Sequence, residues 1–282
     1  MPALLQLMRP YQYTKNLFIF VPLFFAFEFT NPALLGPAAL AFVAFCLMAS
    51  AVYIFNDWRD IDEDRRHPVK SRRALPAGRV APRTALLTAL VLAVAGGVLM
   101  GLVSLPALLV TLAYVGMNLA YSLGLKQISI IDISLIATGF VLRLLVGAVV
   151  TGVALSVWII VMTFLLALFL SLAKRRDDVL VTPAANPRYN LKFLDAAMVM
   201  SASVVVLAYI LWAISPEVAQ RLGSDHVYLT SAFVVLGVLR YLQIAMVDEQ
   251  SGDPAWVLLR DRFVQLVLAG WVAVFSWILY FA

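Results

Sequence analysis

The stretch PALLGPAALAFVAFCLMASAVYIFNDWRDIDEDRRHPVKSRR, residues 32–73, joins a long uncharged run to a dense cluster of charge. Its first 25 residues, through Asn56, carry no charge, and its last 17 carry five acids and seven basic residues, His67 included. A helix of about 20 apolar residues crosses the hydrocarbon core of a bilayer. The stretch therefore predicts a transmembrane helix that ends in a charged segment at the membrane surface.

The rest of the chain has the composition of a membrane protein. Of its 282 residues, 63% are hydrophobic and 13% are charged, whereas about a quarter of a soluble domain is charged. Within lipid the backbone must satisfy its own hydrogen bonds, which a helix does. We therefore predict an all-α polytopic membrane protein, with nine transmembrane helices in a single domain over residues 1–282. The predicted spans are 15–30, 34–56, 83–104, 106–124, 131–152, 156–174, 193–214, 226–247 and 263–281.

Basic residues are sorted between the loops that join these spans. The loops on one side carry many bases, and those on the other side carry only Arg221. Loops rich in Lys and Arg stay in the cytoplasm. We therefore expect a cytoplasmic N-terminus, a multi-pass protein of the inner (cytoplasmic) membrane, and an active site that faces the cytosol. The long polar loops on that side are 57–82, 125–130, 175–192 and 248–262.

Four residues with oxygen-bearing side chains, Asn56, Asp57, Asp60 and Asp64, follow the second span. If the helix continues past the membrane, the three acids lie at i, i+3 and i+7 on one face. Like charges at this spacing repel each other, and Mg²⁺ would relieve the repulsion, since it binds one or two carboxylates together with substrate phosphates. We predict that Asp57, Asp60 and Asp64 are catalytic and, with Asn56, hold Mg²⁺. The intervening acids are expected to be solvated: Asp62 and Glu63.

A run of bases follows these acids directly. Basic side chains bind phosphate oxygens strongly, so acids beside bases suit a substrate that is a magnesium diphosphate. In the simpler alternative the bases only fix the membrane orientation, and the acids balance their charge. The candidate phosphate-binding residues of this run are Arg65, His67, Lys70 and Arg72.

Other polar residues lie at the same side, near the ends of further spans. Each of them either binds substrate or anchors its helix at the membrane surface. These candidates are Lys15, Asn16, Tyr121, Lys126, Lys174, Arg175, Asp177 and Asp178.

Arg143 differs from these, because it lies near the middle of the fifth span, in GFVLRLLVG. A charge inside the membrane is costly and indicates a functional residue. We expect Arg143 to face the interior of the helix bundle, where it binds an anion or pairs with an acid such as Asp132. Arg240 in the eighth span is a weaker candidate, which reaches the membrane surface or lines a cavity with Gln243.

Nine spans and the pattern N-D-x-x-D-x-x-x-D after the second span resemble the UbiA superfamily of intramembrane prenyltransferases. The resemblance covers essentially the whole chain and implies a ring of nine helices around a central cavity. It also implies two Asp-rich loops that bind a magnesium diphosphate. The first loop is kept at 56–64, but the second reads AKRRDDV at 173–179 in place of D-x-x-x-D. The added bases favour a donor or an acceptor with an additional phosphate.

A subgroup of this superfamily has the same profile. It transfers 5-phosphoribosyl from phosphoribosyl pyrophosphate to decaprenyl phosphate or another polyprenyl phosphate, for arabinan-type precursors of the cell envelope. The similar segments are RPYQYTKN at 9–16, YIFNDWRDIDEDRRHPVKSRRALPAG at 53–78, YSLGLKQISIIDI at 121–133, GFVLRLLVG at 139–147 and LAKRRDD at 172–178.

The resemblance also implies roles for the charged residues. The acids at 57, 60 and 64 would hold Mg²⁺ and the pyrophosphate, and bases would bind the 5-phosphate and the acceptor phosphate. The implied partners are the two substrates and the membrane. A homo-oligomer is left open, and no nucleic acid is expected. The implied phosphate-binding bases are Arg65, His67, Lys70, Arg72, Lys126, Lys174 and Arg175.

Two other functions compete with this interpretation. The first is prenyl transfer onto an aromatic acceptor, which shares the fold and the first Asp-rich loop. The second is transport of an anionic metabolite, for which Arg143 and Arg240 inside the membrane would be suited. Paired interruptions of helices in two halves of the chain would support a transporter, but the polar groups are concentrated on one side, which favours an enzyme.

Overall fold

The computed structural model describes residues 2–26, 28–66, 69–181, 188–249 and 254–281. Every regular element in these ranges is a helix, which confirms the predicted all-α class. The helices cluster into two compact units, Met1–Leu155 and Ser156–Ala282, and we describe each unit by itself. A single domain over the whole chain stays a prediction.

The first unit combines long α-helices with short 3₁₀ helices. Its α-helices are α1 Ala3–Met8, α2 Val21–Phe25, α3 Pro32–Arg59, α4 Ile61–Arg66, α5 Pro82–Val103, α6 Leu105–Leu123 and α7 Ile131–Thr151. Its 3₁₀ helices are Pro10–Phe20, Lys70–Arg72 and Leu125–Gln127.

The long helices of this unit begin at clear start signals. Asn31 caps α3, because its Oδ1 accepts a hydrogen bond from the backbone N–H of Ala33 at 3.1 Å, and Pro32 then occupies the first helical position, where no N–H is needed. Ser104 caps α6 in the same way, accepting from the N–H of Ala107 at 3.3 Å. These caps explain why the observed starts lie within two residues of the predicted ones.

Close packing of α3 against α5 depends on a small residue. A Cβ added to Gly96 would lie 2.8 Å from the carbonyl oxygen of Ala44 and 2.7 Å from Cγ of Met48. Small residues allow membrane helices to approach closely and gain dispersion contacts. The buried cluster beside this contact contains Ile19, Ala41, Ala44, Phe45, Ala49, Met100, Ala107, Tyr114 and Val146.

The predicted first span, 15–30, is not one α-helix. Residues Pro10–Phe20 form a 3₁₀ helix, and α2 follows over only five residues. A 3₁₀ run of eleven residues is unusually long. Pro22 lacks the N–H that an α-helix through this segment would need. Tertiary packing also holds the segment, since a Cβ on Gly147 of α7 would overlap the carbonyl oxygen of Ile19.

The second unit is built from long helices joined by short ones. Its α-helices are α8 Val157–Val181, α9 Leu191–Ala213, α10 Pro216–Leu222, α11 Ser231–Met246, α12 Pro254–Arg260 and α13 Arg262–Phe281, with a 3₁₀ helix at His226–Thr230. An aromatic cluster stabilises this unit, in which Trp271 Nε1 donates to the Tyr209 hydroxyl at 2.6 Å. The buried members of the cluster are Tyr209, Trp212, Ala213, Val218, Val227, Phe275 and Ile278.

Seven helical segments of the described chain are long and apolar enough to cross a membrane: α3, α5, α6, α7, α8, α9 and His226–Met246. The last helix is apolar over a shorter run, Arg262–Ile278. Spans two to eight of the prediction are therefore confirmed as long apolar helices, whereas the count of nine is not. A lipid environment also fits the exposed face of α5, since soluble proteins rarely expose large apolar patches. This face consists of Leu87, Leu90, Val91, Val94, Val98 and Leu102.

Candidate active site

Two buried carboxylates converge on one guanidinium nitrogen at the charged end of α3. Backbone hydrogen bonds from Asp60 N to Asn56 O (3.0 Å) and from Asp64 N to Asp60 O (2.8 Å) continue the four-residue spacing from α3 into α4. Asp57 and Asp64 therefore share a face, as predicted. Arg73 Nη1 donates to Asp57 Oδ1 at 3.0 Å and to Asp64 Oδ2 at 2.7 Å. Asp57 is only 2% exposed and Asp64 only 3%.

A second guanidinium, from Arg9, binds the same oxygen of Asp57. Arg9 Nη2 donates to Asp57 Oδ1, and its guanidinium carbon lies 5.4 Å from the centre of the Tyr53 ring. The backbone of Arg9 has φ 53° and ψ 57°, a left-handed conformation that is uncommon for any residue but glycine. Asp57 thus has two cationic partners, one from the turn after α1 and one from the loop before α5.

Ser50 of α3 fixes the chain on both sides of Arg9. The Ser50 hydroxyl lies 2.9 Å from the carbonyl oxygen of Met8 and 2.8 Å from that of Cys46, and its single proton is shared between these acceptors. The Tyr13 hydroxyl lies 2.9 Å from Ser50 Oγ. Strained backbone conformations persist where surrounding contacts determine them. The buried Ser50 therefore ties the turn that carries Arg9 to the same helix that carries Asp57.

The loop before α5 holds the backbone of Arg73 in place. The N–H of Arg73 donates to the carbonyl oxygen of Lys70 at 3.0 Å. The two residues that follow, Ala74 and Leu75, are buried in a cluster with Ile54 of α3. The side chain of Arg73 is 32% exposed, against 3% and 4% for the two acids it binds. Arg73 therefore lies on the solvent side of the two carboxylates.

Asp60 and Asn56 have partners from the last turn of α6 and from the 3₁₀ helix that follows it. Lys126 Nζ, in the 3₁₀ helix Leu125–Gln127, donates to Asp60 Oδ1. Ser122 Oγ, in the last turn of α6, lies 2.9 Å from Asn56 Oδ1 and 3.0 Å from the carbonyl oxygen of Asn118, and its hydroxyl proton is shared between them. The structure thus brings together residues 56–64 with Lys126, as the sequence predicts for one site.

Arg143 is buried, at 4% exposure, which confirms that it faces the interior of its unit. Nε donates to Asn16 Oδ1 at 2.8 Å, Nη1 to the carbonyl oxygen of Gly139 at 2.7 Å, and Nη2 to the Tyr114 hydroxyl at 3.0 Å. Its guanidinium also lies 4.8 Å from the centre of the Tyr114 ring. The alternative partner, Asp132, is eleven residues away on α7, a rise of roughly 16 Å. Arg143 therefore joins α7 to α6 and to the 3₁₀ helix Pro10–Phe20.

The remaining candidates of the first unit differ in their exposure. Arg65 is exposed and pairs at 3.1 Å with Asp62, whose side chain is 79% exposed, so the prediction that Asp62 is solvated is confirmed. The carbonyl oxygen of Arg72 accepts from Arg79 Nη2 at 2.7 Å, while its side chain is exposed. His67 lies outside the described residues. Three further candidates are half-buried: Lys15, Lys70 and Tyr121.

The charged sequence after the sixth predicted span is helical and belongs to the second unit. The span was predicted to end at 174, but α8 continues to Val181. Lys174 is exposed, and Arg175 pairs with Asp178 at 3.5 Å within the helix. Asp177 is half-buried. Such i, i+3 pairs stabilise a helix beyond the membrane surface, which explains why the helix continues.

Two arginines of the second unit make ion pairs that were not predicted from the sequence. Arg176 is buried and donates to Asp195 Oδ1 at 2.7 Å and to the carbonyl oxygen of Ala245 at 2.8 Å. Arg240 donates to Asp261 Oδ2 at 2.7 Å and to Gln243 Oε1 at 2.8 Å. The hydrogen bonds from Arg240 lower the pKa of Asp261 below its usual range, because they favour the charged carboxylate. Both arginines join helices within their unit.

Sequence reasoning missed Arg9, Arg73 and Ser122 as parts of the site. Arg73 lies 16 residues from Asp57 and Arg9 lies 48 residues from it, so no helical spacing connects either of them to the acids. A signal was present for both arginines. Arg73 ends the charged run that follows the second predicted span, and Arg9 opens the similar segment RPYQYTKN.

The donor set at the end of α3 fits Mg²⁺ shared with a phosphate-bearing substrate. The described part of the chain has no group of three or more Asp, Glu, His or Cys side chains placed to hold a metal. However, Mg²⁺ usually takes only one or two carboxylates and completes its shell with water and phosphate. Asp57 and Asp64 supply two carboxylates that already converge on one cationic nitrogen. The ligand roles of all four residues, Asn56, Asp57, Asp60 and Asp64, stay predictions.

Buried acids and bases gather at the end of a helix that is long and apolar enough to cross a membrane. The sequence model of the UbiA prenyltransferase family matches residues 17–267, and the chain belongs to this family. The match extends through both units of the structure.

Named relatives give a more particular similarity. The chain is 29% identical, over 297 aligned positions, to "Decaprenyl-phosphate phosphoribosyltransferase" of Mycolicibacterium smegmatis, with 99% of this chain and 93% of the relative covered. It is 31% identical over 278 positions to the protein of the same name from Mycobacterium tuberculosis, with 94% and 90% covered. The chain is therefore an enzyme, a transferase similar to these phosphoribosyltransferases, and the transporter alternative is set aside.

A solved structure gives the fold. The "UbiA homolog from Archaeoglobus fulgidus bound to GPP and Mg2+" superposes with a TM-score of 0.71 at 19% identity, and 97% of this chain and 99% of that chain are covered. At this identity the similarity establishes the UbiA fold.

Proposed function

We propose that the chain transfers 5-phosphoribosyl from phosphoribosyl pyrophosphate to a polyprenyl phosphate such as decaprenyl phosphate, with release of pyrophosphate. One observation carries the proposal: two buried carboxylates, Asp57 and Asp64, are gathered with Arg9, Arg73 and the Asp60–Lys126 pair at the charged end of an apolar helix. The similarity to decaprenyl-phosphate phosphoribosyltransferases supports the choice of donor and acceptor. The product of this reaction would be used to make an arabinan-type precursor of the cell envelope.

The acids would hold the metal, and the bases would hold the phosphates. Asp57 and Asp64 are the proposed ligands of Mg²⁺, with Asn56 and Asp60 as further candidates. When bound, Mg²⁺ neutralises charge on the pyrophosphate as it leaves. Arg9 and Arg73 approach Asp57 from two sides, so both are positioned to bind donor phosphate next to the metal ligands. Charge-assisted hydrogen bonds of this kind are roughly twice as strong as neutral ones.

The chain's own residues suit a reaction that needs no strong general base. The acceptor phosphate oxygen is already anionic, so it can attack the ribosyl carbon without losing a proton. Attack opposite the leaving pyrophosphate inverts that carbon and gives a β-linked 5-phosphoribosyl lipid. Catalysis then rests on positioning and on fixed charges, which are the largest contributions in many enzymes. Lys126, held at Asp60, is a candidate for the acceptor phosphate.

The membrane arrangement is part of the proposal. The lipid tail would lie in the bilayer, and the phosphates would meet at the cytosolic surface of the inner membrane, where a water-borne donor is available. Two anionic substrates need more cations than one, which gives the basic residues after α6 and in α8 a role. The further candidates for substrate binding are Lys15, Asn16, Arg65, His67, Lys70, Arg72, Tyr121, Arg143, Lys174, Arg175, Asp177 and Asp178.

A transfer assay tests the proposal. Purified protein in detergent would receive Mg²⁺, decaprenyl phosphate and phosphoribosyl pyrophosphate labelled in the ribose. We expect label to enter the organic phase only when both the metal and the lipid phosphate are present, with one pyrophosphate released for each lipid product. Label that stays in the aqueous phase under all of these conditions would contradict the proposal.

Prenyl transfer onto an aromatic acceptor is the second candidate. It is favoured by one observation, the fold shared with the UbiA homolog from Archaeoglobus fulgidus bound to GPP and Mg2+. The same preparation would receive labelled geranyl diphosphate and an aromatic acid. Prenylated product from this pair, without ribosyl transfer, would establish the second candidate in place of the first.

A further inference from the structure

We propose that Arg73 and a divalent cation compete for Asp57 and Asp64, and that the cation, by taking these carboxylates, releases the Arg73 guanidinium to the phosphates of the donor. Arg73 would thus couple metal binding to donor binding. The inference rests on the proposed function, since it concerns the same acids and a phosphate-bearing donor.

The first argument is geometric. A single nitrogen, Nη1 of Arg73, contacts one oxygen of Asp57 at 3.0 Å and one oxygen of Asp64 at 2.7 Å. A cation that bridges two carboxylates occupies the position from which both are reached, and Mg²⁺ with two carboxylate ligands needs the same position at shorter distances. Arg73 and the metal therefore exclude each other at these two oxygens.

The second argument is the direction of approach. The two acids are almost fully buried, whereas Arg73 keeps a third of its side chain exposed. A metal diphosphate that arrives from water meets the Arg73 side chain before it meets Asp57 and Asp64. The backbone around Arg73 is anchored by the buried residues Ala74 and Leu75. The exchange therefore requires a rotation of the arginine side chain and no movement of the loop.

The third argument is charge balance. Removing the partner of a buried charge is strongly destabilising, so Asp57 and Asp64 do not lose Arg73 without another cation. A divalent cation replaces the single charge of Arg73 with two, while Arg9 keeps its contact with Asp57. The released guanidinium then finds the strongest acceptors nearby, which are phosphate oxygens. Because coupling is reciprocal, the donor should also tighten metal binding.

Metal binding measured without donor tests the inference. Mn²⁺ would be titrated into the purified full chain in detergent, and free Mn²⁺ would be read by electron paramagnetic resonance. We expect Arg73→Gln to bind Mn²⁺ about tenfold more tightly than the unmodified chain, because a charge-assisted hydrogen bond no longer competes. The matched control is Arg59→Gln, which removes an exposed base two residues from Asp57. The Mn²⁺ affinity of this control should stay close to that of the unmodified chain.

Thermal unfolding provides a second measurement in case Arg73→Gln is less stable than the unmodified chain. In thermal unfolding, Mn²⁺ should raise the Tm of Arg73→Gln more than that of the control, since the ligand stabilises the state that binds it more tightly. Arg73→Lys keeps the charge and should bind Mn²⁺ no more tightly than the unmodified chain. Equal Mn²⁺ affinities for Arg73→Gln and Arg59→Gln would overturn the inference, and so would weaker binding by Arg73→Gln.

The outcome also separates this inference from the proposed function. Ribosyl transfer by the unmodified chain, together with equal Mn²⁺ affinities of the two glutamine variants, would overturn the competition and leave the proposed function standing. Tighter Mn²⁺ binding by Arg73→Gln would support the competition. If the unmodified chain at the same time showed no ribosyl transfer, the proposed function would be contradicted.

Discussion

At the scale of single residues, the site is a set of buried charges that stabilise one another. Asp57 and Asp64 are nearly inaccessible, and both are bound by Arg73, with Arg9 as the second partner of Asp57. Breaking a buried pair by removing one partner costs roughly 3–5 kcal/mol. Such an arrangement adds little net stability compared with apolar residues, which agrees with the proposed role of these residues in binding charged substrates.

The strained turn at Arg9 leads to a prediction for Ser50. Ser50→Ala removes the hydroxyl that binds Met8 and Tyr13 on either side of Arg9. We expect kcat/KM for phosphoribosyl pyrophosphate to fall by about tenfold, the size that one hydrogen bond to a positioned group supports. The measurement is initial-rate kinetics with the donor varied.

The control for this variant is Ser203→Ala in α9. Ser203 is exposed and donates to the carbonyl oxygen of Val199 at 2.9 Å within its helix, so the substitution has the same chemistry away from Arg9. Its kcat/KM should match that of the unmodified chain. If Ser50→Ala also matched it, the Ser50 contacts would have no part in positioning Arg9.

The sequence predicted the acids of the site better than their partners. The acids lie within eight residues of one another, and helical spacing alone places Asp57 and Asp64 on one face. Arg9 and Arg73 reach the same carboxylates from other elements. Their approach depends on a left-handed turn and on the packing of Leu75, and neither leaves a periodic pattern in the sequence.

At the scale of elements, apolar length predicted the helices that lie within the membrane. The second span was predicted at 34–56, and α3 extends over Pro32–Arg59. Apolar length predicted the structure less well where a charged run or a tertiary contact determines where a helix ends or which kind of helix forms. The helix α8 continues through a charged run to Val181. In the 3₁₀ helix Pro10–Phe20, Asn16 accepts a hydrogen bond from Arg143 and Ile19 packs on Gly147, and local propensity does not encode either contact.

The packing of Gly147 gives a prediction for this 3₁₀ helix. In Gly147→Ala the new Cβ would overlap the carbonyl oxygen of Ile19, so the segment Pro10–Phe20 must shift. Overpacking of this kind costs about 1–3 kcal/mol. We expect a Tm several degrees lower in detergent, together with reduced ribosyl transfer, because the shifted segment begins next to Arg9.

A glycine in open space provides the control. A Cβ added to Gly97 in α5 has no atom within 4 Å, and alanine favours a helix over glycine by up to about 1 kcal/mol. Gly97→Ala should therefore keep or raise the Tm in the same thermal unfolding experiment. A Tm of Gly147→Ala as high as that of Gly97→Ala would be incompatible with close packing on Ile19.

At the scale of the whole molecule, composition predicted the membrane protein and the family confirmed it. The family match over 17–267 includes residues of both compact units. Seven segments of the described chain are long apolar helices. The other two predicted spans differ from them: the first is divided into a 3₁₀ helix and the short α2, and the last is apolar over the shorter run Arg262–Ile278. Orientation is inferred only from the sorting of Lys and Arg, because a helix has the same internal hydrogen bonds in either direction.

Thiol labelling tests the predicted orientation. With the single cysteine replaced in Cys46→Ala, a new cysteine would be placed at an exposed position in each of two loops, as Ala77→Cys or as Asp225→Cys. A membrane-impermeant maleimide should label Asp225→Cys in intact spheroplasts and Ala77→Cys only in inverted vesicles. The reverse pattern would place the candidate site on the outer side and exclude a cytosolic donor.

The measurement that tests the central claim most directly is ribosyl transfer by Asp60→Asn and Asp62→Asn. The two acids are two residues apart, but Asp60 binds Lys126 within the site, whereas Asp62 is exposed and pairs with Arg65. We predict that Asp60→Asn loses at least about a hundredfold in transfer, as expected for a fixed charge at a reacting centre, and that Asp62→Asn retains transfer within about twofold. Near-normal transfer by a folded Asp60→Asn would contradict the claim that the charged end of α3 is the active site.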